Sequence, residues 1–216
     1  MSPHRARPRL SRLGTWYLFD YGMVISTAPE PADWQVLAGA LGLEDDDGAQ
    51  LAQPGSRYWR RREEFDAGAL SPDDFWSDAL GRPATAEEVE RLEALDAAQW
   101  GHLNPATAAV LDDLQGEGAR LAVLSNMPAG MSRRYTAHAS WAPRFDRLFF
   151  SGQLRMTKPD RRIFDHVAEE LGAPPEDIVF IDDNEANIAA AQALGFRTVH
   201  HEPGTDLRAE LAALAS

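Results

Sequence analysis

Thr15-Trp16-Tyr17-Leu18-Phe19 is an aromatic and apolar run without a breaker, and it stops abruptly at Asp20-Tyr21-Gly22. Such a run reads as a short, buried strand. A carboxylate therefore stands where the first strand ends. Outward from this point, the next strand-like run is Arg120–Leu124, RLAVL. Shorter ones follow at Arg147–Phe150, Ile178–Ile181 and Arg197–His200. Helical stretches separate them at 128–138, 160–171 and 185–194, the last stopped by Gly195. A final helix is expected over 206–214. Short buried strands alternating with helices predict a parallel sheet covered on both faces. The fold class is α/β with a Rossmann-like core.

Residues 27–100 read differently. Trp34, Leu37, Ala38 and Leu41 recur at helical spacing. Ser71-Pro72-Asp73-Asp74 combines a cap, a proline and first-turn acids. Thr85-Ala86-Glu87-Glu88 is a capping box. Asn104-Pro105 then starts a helix that ends near Gly116–Gly118. We expect residues 27–100 to be a small helical cap inserted into a core of residues 15–26 and 101–216. Residues 1–14 are basic without an apolar segment, so a disordered tail is expected there and not a secretory signal. The acidic run Asp45–Asp47 is expected to be a solvated turn.

The bulk composition narrows the function. The chain has 216 residues, 44% of them hydrophobic and 25% charged, which suits a globular protein with a real core. A formal net charge of −13 repels nucleic acid and anionic membranes at long range, so neither is an expected partner. A phosphorylated small molecule would need a local positive site. Cysteine is absent, which excludes disulfides, thiolate zinc sites and cysteine nucleophiles. No apolar run approaches the ~20 residues of a bilayer span, and a cytoplasmic protein, monomer or homodimer, is expected. There is no Walker-type phosphate loop. Gly116-Glu117-Gly118 precedes a strand, so it is not a dinucleotide fingerprint.

Open α/β sheets bind ligands beyond the carboxyl ends of their strands. The polar residues expected there are Asp20, Ser125-Asn126 and Asp182-Asp183, with Lys158 in a loop before a helix. Taken singly, each has an ordinary explanation as a turn residue, a strand exit or a helix cap. Lys158 differs in being the only lysine of the chain. A compact ammonium fits between carboxylates and a phosphate where a planar guanidinium does not. Together these residues suit one reaction. A carboxylate attacks phosphorus, hard oxygen ligands hold Mg²⁺, and a hydroxyl, amides and an ammonium hold the phosphate. In the helical segment, Arg57-Tyr58-Trp59-Arg60-Arg61-Arg62, Phe65 and Phe75-Trp76 are expected to be packing aromatics with solvated arginines, the alternative being contacts from a closing cap to a phosphate or sugar ring. His200-His201 is expected at the surface.

The ordered set resembles the haloacid dehalogenase superfamily, in its phosphatase branch with a small helical cap. Phe19-Asp20-Tyr21-Gly22-Met23-Val24-Ile25, Leu124-Ser125-Asn126, Thr157-Lys158-Pro159-Asp160 and Phe180-Ile181-Asp182-Asp183-Asn184 look like its four motifs in order. The resemblance implies Asp20 as nucleophile and metal ligand, with the Gly22 carbonyl and Asp183 on Mg²⁺. It implies Asp182 and Asn187 acting on the metal through water, and Ser125, the Asn126 amide and Lys158 on the phosphate. The subgroup it most resembles acts on sugar phosphates. Most phosphatases of this superfamily carry a second aspartate two residues after the nucleophile, as general acid and base, and here that position is Gly22. A catalytically silent binding protein and a 2-haloacid dehalogenase are the alternatives to a phosphatase.

Overall fold

The computed structural model describes residues 9–43 and 47–215. The expectations for residues 1–8 and for Asp45 and Asp46 lie outside them. Five strands form one parallel sheet: β1 (Trp16–Phe19), β2 (Arg120–Ser125), β3 (Arg147–Phe150), β4 (Ile178–Asp182) and β5 (Arg197–His200). Their order is β3-β2-β1-β4-β5. The chain runs outward from β1 to β3, then returns to place β4 on the free side of β1. The two adjacent strands β1 and β4 thus define the point at which strand order reverses, where a crevice opens at the carboxyl edge. The register pairs Phe19 with Val123 on one side and with Ile181 on the other. Asp20 and Asp182 are therefore brought to neighbouring strand ends.

Side-chain alternation divides the core into two layers. Tyr17, Phe19, Leu121, Val123, Val179 and Ile181 share one. They pack against Val110, Leu111 and Leu114 of α6 (Pro105–Gly116), Met131 and Tyr135 of α7 (Ala129–His138), and Leu207 and Leu211 of α11 (Leu207–Ala215). Trp16, Leu18, Ala122, Leu124, Ile178 and Phe180 point the other way. They meet Ile163, Phe164 and Val167 of α9 (Arg161–Leu171) and Ile188 and Ala191 of α10 (Glu185–Ala193).

A third apolar cluster belongs to the segment between β1 and β2. It joins α1 (Pro31–Ala40), α2 (Asp47–Leu51), α3 (Arg62–Asp66), α4 (Pro72–Leu80) and α5 (Ala86–Gln99) through Trp34, Leu37, Tyr58, Phe65, Phe75, Trp76 and Leu92. The caps read from sequence are formed. Ser71 accepts from the Asp74 amide, and Thr85 and Glu88 make the reciprocal box. The two connections to the sheet run side by side. Ser26 bridges Leu103, the Thr27 amide donates to His102 at 2.8 Å, and the Asn104 amide donates to Ile25 at 2.8 Å.

Two departures from the sequence reading have plain physical causes. Residues 9–14 are not a loose tail. Leu10 is fully buried in the α6–α7–α11 layer, and Glu117 accepts from the Leu10 and Ser11 amides and the Ser11 hydroxyl at 2.7–3.0 Å. One apolar side chain and one carboxylate anchor the segment, and composition alone does not register either. The second is α8 (Ser151–Leu154), a single turn directly after β3, where the inserted helices land on the sheet domain. Gly68, at φ +67°, approaches so closely that a Cβ there would lie 2.5 Å from the Gly152 carbonyl oxygen. A Gly68→Ala variant is therefore expected to lose about 1–3 kcal/mol of stability in urea unfolding, through backbone strain and overpacking. Wild-type stability would mean that this contact is dispensable.

Candidate active site

Each strand end at the reversal point contributes a polar group. Asp20 follows β1, and its amide still donates to the Ile181 carbonyl at 2.8 Å, continuing the ladder. The chain then turns tightly. The Asp20 carboxylate accepts from the Tyr21 amide at 2.7 Å, Gly22 is extended, and Met23 adopts a left-handed φ of +59°. Ser125 ends β2 and Asn126 follows it. Asp182 ends β4, with Asp183 and Asn184 leading into α10.

Lys158 joins them. Its ammonium, with the residue only 4% exposed, lies 2.8 Å from an Asp20 oxygen and 2.6 Å from an Asp182 oxygen. Asn126 fixes the lysine's backbone by a double contact, its side chain accepting from the Lys158 amide and donating to the Lys158 carbonyl, both at 2.9 Å. The sequence reading gave Asn126 only a phosphate-binding amide. This clamp was invisible because it joins residues 32 positions apart.

Asp182 is completely buried, and its carboxylate is heavily engaged. It accepts from Lys158, from the Asn184 amide at 2.8 Å and from the Asn187 side chain at 3.0 and 3.2 Å. Asp182 and Asn187, expected as outer partners of a metal, also hold Lys158 and each other in place. Asp20 and Asp183 line the open cleft. The Asp183 carbonyl accepts from His200 Nε2 at 2.9 Å, so His200 steadies this loop and is not a free surface residue.

One oxygen from each of Asp20, Asp182 and Asp183 lies within 4.8 Å of the others. Three carboxylates around one ammonium leave a negative excess. Burial pushes the Asp20 carboxyl well above the ordinary carboxylate range; Lys158 opposes this and Asp182 adds to it. Asp183 is raised too, by burial and then by Asp182. Lys158 is raised despite its burial, because Asp20 and Asp182 favour its charge. The donor set is all hard oxygen, and Lys158 only partly balances its charge, which fits a small divalent cation.

The cleft measures about 410 Å³. Asp20, Gly22, Ser125, Asn126, Lys158 and Asp183 form its polar floor. The expected residues thus do meet in one place.

The chain belongs to the haloacid dehalogenase-like hydrolases. The family model matches residues 15–195, from β1 through α10 with the inserted helices between them. A D-ribitol-5-phosphate phosphatase of Bacteroides thetaiotaomicron is 30% identical over 210 residues, covering 91% of this chain and 96% of the relative. A sesquiterpene phosphatase of Aspergillus oryzae is 28% identical, over 85% and 87%. An (S)-2-haloacid dehalogenase of Pseudomonas is 27% identical over a shorter stretch, 58% of this chain and 55% of the relative. Among solved structures, a haloacid dehalogenase family enzyme of Bacteroides thetaiotaomicron, in complex with magnesium and inorganic phosphate, superposes with a TM-score of 0.68. It is 21% identical and the match covers 89% and 96% of the two chains. As a haloacid dehalogenase-like hydrolase the protein is an enzyme, and among its described residues no helix is long and apolar enough to cross a membrane.

In this hydrolase the sequence pointed to Trp59 and Arg62 of the cleft wall only as one of two alternatives, and not to Asp66 or Trp100. Trp59, Arg62, Asp66 and Trp100 come from the inserted segment, and Met23, Met127 and Met131 complete the wall. Arg62 had been expected in solvent. It is buried, 2.7 Å from Asp66 and 2.9 Å from Asp96, and also contacts the Tyr58 hydroxyl. The Tyr58 hydroxyl donates to Asp96 at 2.6 Å and accepts from the Trp100 indole at 3.0 Å. The only hint in the sequence was three adjacent arginines, and nothing in it said which of them points inward.

Proposed function

We propose that the protein is a phosphatase that hydrolyses a small phosphorylated metabolite, a sugar phosphate being the favoured class, through a phosphoryl group carried on Asp20. The observation that carries this reading is the buried Lys158 ammonium between Asp20 and Asp182, with Asp183 beside them in the floor of the cleft. Asp20, Asp183 and the Gly22 carbonyl would hold Mg²⁺. When bound, the ion supplies the positive charge that lets an anionic nucleophile meet a phosphate.

Asp20 attacks phosphorus and forms an aspartyl-phosphate. Lys158 and the Ser125 hydroxyl hold phosphoryl oxygens from the polar floor, and Asp182, Asn187 and Asn126 keep Lys158 rigid. The inserted helices form a cap over the leaving group and exclude water. No carboxyl at position 22 is available to protonate the leaving oxygen, which favours either a substrate whose leaving group departs readily, such as an anomeric phosphate, or an acid supplied by the inserted helices. Dehalogenation fits less well. Asp182 and Asp183 beside the nucleophile repel a 2-haloacid carboxylate unless a cation separates them.

The test is phosphate release from a panel of sugar phosphates, nucleotides and an aryl phosphate, with Mg²⁺ and with a chelator. A 2-haloacid is included for halide release. Chelator-sensitive phosphate release without halide release is the expected result. Halide release alone, or ligand binding with no turnover of any compound, refutes the phosphatase reading.

A further inference from the structure

We propose that the carboxyl of Asp66, at the end of α3, is the proton donor and acceptor for the leaving oxygen, the role that Gly22 leaves without a side chain. The proposal rests on the phosphatase reading of the same cleft.

Three features of the cleft wall carry it. First, Asp66, on the inserted helices, lines the cavity that Asp20 of the sheet domain lines, and keeps 18% of its side-chain surface open. Second, its position is fixed against the sheet domain. The Ser151 hydroxyl of α8 contacts the Asp66 carbonyl, and Gly68 rests on Gly152. A group on the inserted helices is thereby held in the cleft wall by direct contact with the sheet domain.

Third, its ion pair is redundant. Arg62 faces two carboxylates, Asp66 at 2.7 Å and Asp96 at 2.9 and 3.1 Å. Asp96 is the better supported of the two, accepting also from Tyr58 and from Gln99 at 3.0 Å. When Asp66 takes up a proton, Arg62 keeps a counter-ion and no buried charge is stranded. Consistently, burial pushes the Asp66 carboxyl up to about 7 against the pull of Arg62, with Asp96 and Glu63 adding to the rise. Of the elements packed on α3, α8 carries no charge, and α4 meets it through Phe75 and Trp76 against Phe65, its Asp78 pairing with Arg61 at the other end of α3. An acid–base group near neutrality is what a proton transfer in both directions needs.

The two half-reactions balance. In the first, an Asp20 oxygen bonds to phosphorus as the bond from phosphorus to the leaving oxygen breaks. The electron pair stays on that oxygen, and the Asp66 proton moves onto it. In the second, water attacks phosphorus, the bond to Asp20 breaks and returns its pair to Asp20, and the Asp66 carboxylate takes the water's proton.

The experiment compares kcat/KM for 4-nitrophenyl phosphate, whose leaving group needs no proton, with that for glycerol phosphate, whose leaving group does. Wild type, Asp66→Asn and Asp66→Glu are measured on either side of neutral pH. The alkyl-to-aryl ratio is expected to fall about 10²-fold in Asp66→Asn and to recover in part in Asp66→Glu. Wild-type turnover of the alkyl ester should decline as pH rises through neutrality, and Asp66→Asn should lack that decline. The ratio is taken within one preparation, so a partly folded variant does not distort it. An unchanged ratio shows a merely structural Asp66 and overturns the proposal. So does a wild-type enzyme that cleaves only aryl esters, which leaves the phosphatase reading standing. Turnover of neither ester overturns that reading as well.

Discussion

Asp20→Asn is expected to lower kcat/KM for phosphate release by a factor on the order of 10⁴–10⁶, the scale on which loss of a nucleophile is felt. An amide cannot form the acyl phosphate, and its nitrogen is a donor where the site needs an acceptor. The variant should nevertheless fold. Lys158 keeps Asp182 at 2.6 Å, and one of three crowded carboxylates is gone. Its thermal midpoint should be no lower than that of the wild type, as is usual when a strained functional charge is neutralised. Inactive protein with an intact melt assigns the loss to chemistry. Residual activity within tenfold of wild type would remove Asp20 from the mechanism.

Lys158→Met is expected to be the most damaging single change to the fold. It strands Asp20 and Asp182 in a buried site without a cation, a change of the kind that costs about 3–5 kcal/mol. The pH dependence has a defined sign. Burial already raises the Asp20 carboxyl and Lys158 opposes the rise, so without the ammonium Asp20 titrates higher still in the folded chain, which then binds more protons than the unfolded one. The penalty is then fully felt at alkaline pH and shrinks as pH falls and Asp20 protonates. Urea unfolding in chelator at mildly acidic and mildly alkaline pH should show the gap from wild type widening with pH. A pH-independent gap would mean lost packing, not stranded charge.

The fold was legible because its signals are local. TWYLF, RLAVL and IVFI are continuous apolar runs whose residues must be buried on both faces, and Ser71, Thr85, Asn104 and Asn184 cap helices within three residues of themselves. The polar floor was legible for a related reason. In a parallel sheet every strand ends on the same edge, so residues at strand exits converge whatever lies between them in sequence. The cleft wall follows no such rule. Arg60, Arg61 and Arg62 are chemically alike in sequence. Arg61 pairs with exposed Glu64 and Asp78, whereas Arg62 is drawn inward by Asp66 and Asp96. That outcome depends on how α3 and α5 pack.

The order of the elements, the carboxylates at the ends of β1 and β4 and the single lysine were therefore set by the chain's own linear pattern. The tertiary structure alone decided that Asp182 pairs with Lys158, that Asn126 clamps it, that Leu10 and Glu117 tie down the first described segment, and that Asp66 lines the same cleft as Asp20. The reason is physical: strand ends are placed by backbone geometry that sequence periodicity encodes, whereas ion pairs and hydrogen bonds between distant residues exist only once packing has chosen which side chains lose their water.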